Sequence, residues 1–407
     1  MMTFIFFDAQ SCVRISNWSV ECEKGEDRSM LLTGVFFMRT MSVKLNLIIT
    51  GLTFFHLMLS VKSFANTDQT ETLALLLERE PDIVQIQKDT LIPWFERGII
   101  SFIEATPHLN KTPVKIRTIR FMHPKPIGNI TIVHGYRERF EKYIEQTYDF
   151  YQRGYNVFLY DQRGHGESDR LTEDTGKTHV DAFEQYVLDL KLIQDKLVEP
   201  NSSDQNKFIF SHSMGGLVTL HFLRSYPNMV QAAVLSSPMT SIKTAPLSKS
   251  VAYYMTSSVT ALGYGDAYLF GQKPPSAGYW KFEKAGTSCY NRWKAYSDLM
   301  LAEKFRKQAT GGSTFGWIAD ALQGTFDLQD PSFLPAIQTP TLLFQGKKDT
   351  WIDISNQEQV CSNITSCDFT SYDNGKHELF METDQIRIPY LQQIFKFFEV
   401  PRAVQVH

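Results

Sequence analysis

Short apolar runs, each closed by a small or polar loop, recur along the chain. Ile130-Thr131-Ile132-Val133 precedes His134-Gly135, Val157-Phe158-Leu159-Tyr160 precedes Asp161, and Phe208-Ile209-Phe210 precedes Ser211. Ala232-Ala233-Val234-Leu235 precedes Ser236, and Thr341-Leu342-Leu343-Phe344 runs toward Gly346. Unbroken apolar stretches of this length are how strands buried on both faces of a parallel sheet read. Between them the period becomes helical: over Phe183 to Leu197, the residues Tyr186, Val187, Leu190, Ile193 and Leu197 share one face. Lys115 to Met122 alternates as an edge strand does, and Gln69 to Phe95 sets Leu73, Leu76 and Leu77 at core-facing helical spacing. Alternating strands and helices predict an α/β fold with a mostly parallel, doubly wound sheet, whose ligands bind at the carboxyl ends of the strands.

Residues 241–335 break this rhythm with small and aromatic residues, glycine pairs and no run of buried strands. They predict a helical cap inserted after the strand that ends near Ser237, which divides the core into residues 66–240 and 336–407. With 43% hydrophobic residues in 407, the chain can bury a large core. A net charge of −3 gives no global basic field to attract nucleic acid or anionic lipid, which disfavours nucleic acid as a partner and leaves small-molecule or lipid chemistry.

At the N-terminus, Met41-Ser42-Val43-Lys44 opens an apolar run from Leu45 to Val61, and Ser63-Phe64-Ala65 follows with small residues at signal-peptidase spacing. This pattern predicts a signal peptide over residues 41–65, with residues 1–40 a leader from a start placed too far upstream. A buried core helix is a third reading, and the main alternative is an uncleaved anchor, because the run is just long enough to span a bilayer. Either way the expected location is exported, periplasmic or membrane-associated. In an oxidising compartment Cys361 and Cys367 could join as a local disulfide between a helix and the next strand, leaving Cys289 unpaired. Cys12 and Cys22 fall in the leader, and no cysteine spacing matches a zinc or redox motif.

A serine hydroxyl becomes a nucleophile only with a base to take its proton and a turn that lifts its oxygen clear of the backbone. Ser213, in Ser211-His212-Ser213-Met214-Gly215-Gly216, follows the strand 208–210 and precedes a helix from Leu217 to Arg224, as a nucleophile elbow requires. Ser211 stands where the first glycine of G-x-S-x-G belongs, a place that must stay small. The acid and histidine follow in the expected order. Asp349 closes Gly346-Lys347-Lys348-Asp349 after a strand, and His377 lies in Asn374-Gly375-Lys376-His377-Glu378, between a short strand at Asp368 to Tyr372 and the last helix. Asp353 is the rival acid, expected to cap a loop. Charge on the carbonyl oxygen needs preorganised donors, expected from the backbone N–H groups of Met214 and of Tyr136 in His134-Gly135-Tyr136-Arg137. Gly135, Ser211, Gly215 and Gly216 would support them. His134, His165 and His212 are expected to make structural hydrogen bonds, Arg137 and Arg139 to be solvated surface charges, and Asp161 to Ser168 to be a scaffold loop. The chemistry calls for no cofactor and no metal.

These motifs, with Tyr143, Thr178 to Tyr186, Arg292-Trp293, Tyr296-Ser297-Asp298 and Thr314 to Trp317, carry a resemblance over roughly residues 75 to 400. The chain resembles the monoacylglycerol-lipase-like, serine aminopeptidase S33 branch of the α/β-hydrolases, most of all its bacterial lysophospholipases. The resemblance implies an α/β-hydrolase fold and hydrolysis of a single-chain lipid ester, a lysophospholipid ahead of a monoacylglycerol, with the acyl chain under the cap. It also implies peripheral contact with a membrane. Another carboxylesterase or aminopeptidase activity on the same core is the alternative among enzymes, and a hydrolase-like binding protein is the alternative outside them.

Overall fold

A computed structural model describes residues 78–107, 112–202, 205–275 and 281–399. The expected leader, the signal segment, the first turns of the helix beginning at Gln69, and Cys12 and Cys22 lie outside the described residues.

Eight strands form one sheet: β1 (Ile99–Ala105), β2 (Val114–Phe121), β3 (Gly128–Val133), β4 (Tyr155–Tyr160), β5 (Lys207–His212), β6 (Ala232–Ser236), β7 (Thr341–Gly346) and β8 (Cys367–Tyr372). Their spatial order is β1-β2-β4-β3-β5-β6-β7-β8. The strands β3 to β8 run parallel, whereas β2 is antiparallel to both β4 and β1. Every residue of β3, β4 and β6 is buried, which is why these strands are continuous apolar runs rather than alternating ones.

Lys115 to Met122 was expected at an edge, and the sheet corrects this. β2 is interior, and β1 pairs along its outer side with Ile103 opposite Ile116. β1 is hard to read in sequence because Ile99, Ile100 and Phe102 are all exposed, so its apolar residues do not mark a core face.

Helices cover both faces. α1 (Ile144–Gln152) and the C-terminal helix pack Phe150, Ile394 and Phe395 with Phe208 and Phe210 of β5. On the other face α2 (Glu184–Ile193) and α3 (Met214–Ser225) bury Leu190, Leu217 and Leu220 with Ile209 of β5. Successive β5 side chains thus feed two cores, as the period of two requires.

Between β6 and β7 come three helices of two or more turns, α4 (Lys249–Val259), α5 (Tyr290–Leu301) and α6 (Phe315–Asp327). The Ser248 and Thr314 side chains cap α4 and α6 by accepting the N–H groups of Val251 and Trp317. From α5, Arg292 binds Glu145 of α1 at 2.9 Å and Asp384 at 2.5 Å, where α7 (Asp384–Glu399) begins. Cys361 and Cys367 are joined in a disulfide between a short helix, Gln357–Ser362, and β8, and Cys289 is free and buried.

Candidate active site

In register, Val133 of β3 lies beside Ser211 of β5, His212 beside Ser236 of β6, and Ser236 beside Phe344 of β7. The carboxyl ends of four strands therefore deliver their loops to one place. Ser213 follows β5 with φ +54° and ψ −120°, a conformation costly for any residue with a Cβ. It is held there by hydrogen bonds: its N–H donates to Ser236 O at 3.1 Å, and its carbonyl accepts from Met239 N at 2.9 Å. A Cβ on Gly215 would lie 2.2 Å from the Val133 carbonyl oxygen, and one on Gly216 would lie 2.6 Å from Pro238. Ser211 fits where glycine was expected because its buried hydroxyl donates to Val234 O of β6 at 3.1 Å.

Asp349 and His377 come from the loops after β7 and β8, which touch closely enough that a Cβ on Gly346 would be 2.0 Å from Lys376 O. His377 Nδ1 and Asp349 Oδ2 are 2.5 Å apart, leaving Nε2 as the ring nitrogen for a partner hydroxyl. The other carboxylate oxygen of Asp349 accepts from the N–H groups of Trp351 and Ile352 at 2.7 and 3.2 Å. Burial opposes ionisation of Asp349, yet the His377 ring and these N–H donors outweigh it and hold the carboxyl below its ordinary value. Asp353 faces elsewhere, accepting from Ser241 and Lys249 at the foot of α4 and from Ser355 N. The ring of Trp351 lies 5.2 Å from His377 and its Nε1 donates to Lys284 O between α4 and α5.

The loop after β3 carries the glycine expected beside the oxyanion donors. A Cβ on Gly135 would be 2.9 Å from the Ser213 Cβ, so the backbone at Gly135 passes against Ser213. Arg137 takes φ +60°, which turns the loop back toward Glu138. Glu138 was not anticipated, and it organises the site. Its Oε2 accepts from Gly135 N at 2.6 Å and from the Tyr143 hydroxyl at 2.5 Å; its Oε1 takes Lys142 Nζ at 2.7 Å. His212 Nδ1 lies 3.2 Å from the same carboxylate, and its Nε2 lies 3.3 Å from His377 O. Lys142 also pairs with Glu378. Burial works against the Glu138 charge, but Lys142 and His212 hold its carboxyl well below the ordinary range. The one local sign of this role is a carboxylate three residues past Gly135.

His134 Nε2 accepts from Gln162 N at 2.9 Å, while burial drives His165 down to about 3, so both rings serve as neutral structure. Arg139 was expected on the surface and is instead buried, bound to Glu141 and Glu167 and to Gln308. Arg137 is half-buried and donates to Thr310 O at 3.1 Å. Asp161 binds the N–H groups of Phe140 and Glu167, which makes its loop a brace for the neighbouring one.

Ser213, His377, Tyr136 and Glu378 line a single cavity of about 900 Å³. Its apolar wall includes Met239, Ile242, Trp293 and Trp317, the latter two from α5 and α6. Arg137, Lys142, Lys243, Lys273, Lys281 and Lys284 also line it, against the acids Glu138 and Glu378. The arrangement can activate a hydroxyl, receive a developing oxyanion and enclose a long apolar group. Among the described residues no His, Cys, Asp and Glu cluster could hold a metal ion.

A parallel sheet that presents its reacting groups on loops at the strand carboxyl ends, with a strained serine between β5 and α3, is that of an α/β-hydrolase. Solved structures agree on the fold. A soluble variant of monoglyceride lipase from Saccharomyces cerevisiae, in complex with a substrate analogue, aligns over 74% of this chain and 96% of its own, with TM-score 0.57 and 18% identity. Among curated proteins, the probable lysophospholipase L2 of Haemophilus influenzae is 29% identical over 79% of this chain and 99% of its own length. Lysophospholipase L2 of Escherichia coli K12 is 26% identical over 70% and 84%. The chain belongs to the serine aminopeptidase S33 family, which matches residues 124–384.

Proposed function

We propose that the protein is a carboxylic ester hydrolase that cleaves the acyl ester of a single-chain lipid, a lysophospholipid above all, through the triad Ser213, His377 and Asp349. The observation that carries this reading is the His377–Asp349 bond at the cavity that Ser213 also lines. His377 Nε2 takes the Ser213 proton as Oγ adds to the acyl carbonyl, and Asp349 steadies the imidazolium that results. The N–H groups of Tyr136 and Met214 receive the oxyanion. Collapse expels the alcohol, which leaves with the proton from His377, and water cleaves the acyl-enzyme by the same steps in reverse order.

Residues 241–335 act as the cap under which the acyl chain lies. A phosphate-bearing headgroup is favoured over a neutral glycerol one by the six cations against two acids along the cavity, and by the names of the curated relatives. Residues 41–65 serve as a signal peptide. The Cys361–Cys367 disulfide supports export, since such bonds persist in oxidising compartments.

The test is a fluorophosphonate probe followed by a substrate panel of lysophospholipids, monoacylglycerols, short esters and aminoacyl amides. Labelling at Ser213 and fastest turnover of a lysophospholipid are expected. Absence of labelling would turn the reading toward a binding protein, and preference for an aminoacyl amide would make the enzyme a peptidase.

A further inference from the structure

Glu382 is fully buried and takes no part in the proposed chemistry. It follows His377 after the single turn Leu379–Met381. Its carboxylate reaches back over that turn to accept from Lys376 N at 2.9 Å, so the chain closes on itself around His377. Both oxygens also accept from Ser288 N, each at 3.1 Å, and Oε2 accepts from Thr383 N at 3.3 Å. One carboxylate thus joins the residue before His377 to the segment between β6 and β7.

Burial pushes the Glu382 carboxyl up, and the N–H groups of Lys376, Ser288 and Thr383 oppose the push. A buried carboxylate is costly unless hydrogen bonds satisfy it, so these backbone donors must stay within reach of the charge. Neighbouring bonds run the same way. Glu378 N donates to Gly286 O at 2.7 Å, Lys376 Nζ to Thr287 O at 3.2 Å, and Thr287 Oγ1 to Met381 O at 2.7 Å. A Cβ on Gly286 would lie 2.8 Å from the Glu378 side chain, so the stretch packs tightly on the histidine loop. On the acid side, Trp351 Nε1 reaches Lys284 O. Residues 284–288 therefore lie as a splint across the loop of His377 and touch the loop of Asp349.

We propose that Glu382 is a positioning residue for His377: it fastens the splint to the chain on both sides of the histidine, and the two together hold the imidazole between Asp349 and the cavity that Ser213 lines. The proposal rests on the reading of His377 as the base of the triad. It gives the segment between β6 and β7 a task besides covering the acyl chain, since residues 284–288 then help to aim the group that moves the proton.

Glu382→Gln in the full chain keeps the shape but sets an amide NH2 against a backbone N–H, whichever way the amide turns. With p-nitrophenyl butyrate, a short soluble ester, and well below the melting temperature of the variant, kcat should fall about tenfold to hundredfold with KM within about threefold of parental. Labelling of Ser213 by a fluorophosphonate should slow to a similar degree. In the double variant with Asp349→Asn the loss should fall well short of the product of the single losses, because both substitutions act through His377. A residue that only stabilises the fold would lower the melting temperature and leave kcat alone. Parental kcat in folded Glu382→Gln, a raised KM with unchanged kcat, or fully multiplicative losses overturns the proposal. If Glu382→Gln does not fold, Lys376→Met removes the bond to Thr287 O instead, and its kcat should fall about threefold to tenfold with KM near parental; unchanged kcat there overturns the proposal. A parental protein that the probe does not label would sink the triad reading and this proposal with it, whereas a labelled, active parent matched by its variant sinks the proposal alone.

Discussion

The Glu138 carboxylate accepts the Gly135 N–H at 2.6 Å, and Gly135 lies so close to Ser213 that a Cβ between them would sit 2.9 Å from the serine Cβ. Glu138 thus sets where the neighbouring Tyr136 N–H stands relative to Ser213. Both its oxygens are committed, one to Lys142 and one to Gly135 and Tyr143. Glu138→Gln keeps the shape but turns an N–H toward one of these donors. Steady-state kinetics should show kcat lowered by about tenfold to hundredfold with KM near parental, the mark of a positioning residue. Gly135→Ala should cost about a hundredfold or more for the same reason.

Ser213→Ala should lower turnover by roughly 10⁶ and Asp349→Asn by roughly 10⁴, with folding intact in both. Asp353→Asn is the control, because Asp353 binds Ser241 and Lys249 rather than His377. It should stay within about threefold of parental turnover. Circular dichroism checks the fold, and a large loss in Asp353→Asn with a small one in Asp349→Asn would reverse the assignment.

Burial pushes the Asp320 carboxyl on α6 up to about 7, with nearby Asp181 adding to the rise and His179 opposing it. An acid raised on folding keeps its proton in the native state while the unfolded chain loses it. Stability should therefore be greatest below pH 4 in this respect, and fall as the pH rises from about 4 to about 7. Asp320→Asn removes that fall. Melting curves across this range should be flatter for the variant, and above pH 7 it should be the more stable protein by on the order of 1 kcal/mol.

The Cys361–Cys367 bond closes a loop with a sequence separation of only 6. On the loop-entropy account it contributes about 2 kcal/mol. Replacing both cysteines by serine should lower the melting temperature by about 5 °C or less while leaving kcat unchanged, as measured by calorimetry and ester hydrolysis.

Legibility in sequence followed burial. Runs such as Ile130 to Val133 and Ala232 to Leu235 were plain because both faces of those strands are covered. β1 was not, since the exposure of Ile99, Ile100 and Phe102 removes the alternation that marks a strand, and β2 was taken for an edge in consequence. Ser213, Asp349 and His377 stood out because each follows a readable strand in the order the fold requires. Glu138 and Lys142 did not, since the groups that complete their pair, His212 beside Glu138 and Glu378 beside Lys142, lie 74 and 236 residues away. Arg139 looked like surface charge for the same reason: Glu167 and Gln308 reach it only in three dimensions.

The strained backbone of Ser213 is fixed by hydrogen bonds to Ser236, the last residue of β6, and to Met239 just beyond it. Its histidine and acid arrive from beyond β8 and β7. No fragment of the chain contains the working arrangement, and a partly folded chain has a serine but no reagent. Catalytic power is therefore a cooperative property of the finished sheet. In a denaturant titration, hydrolysis of a soluble ester and the far-ultraviolet signal should disappear along one curve; activity surviving past the structural midpoint would contradict this. Turnover in this protein reports the integrity of the whole fold.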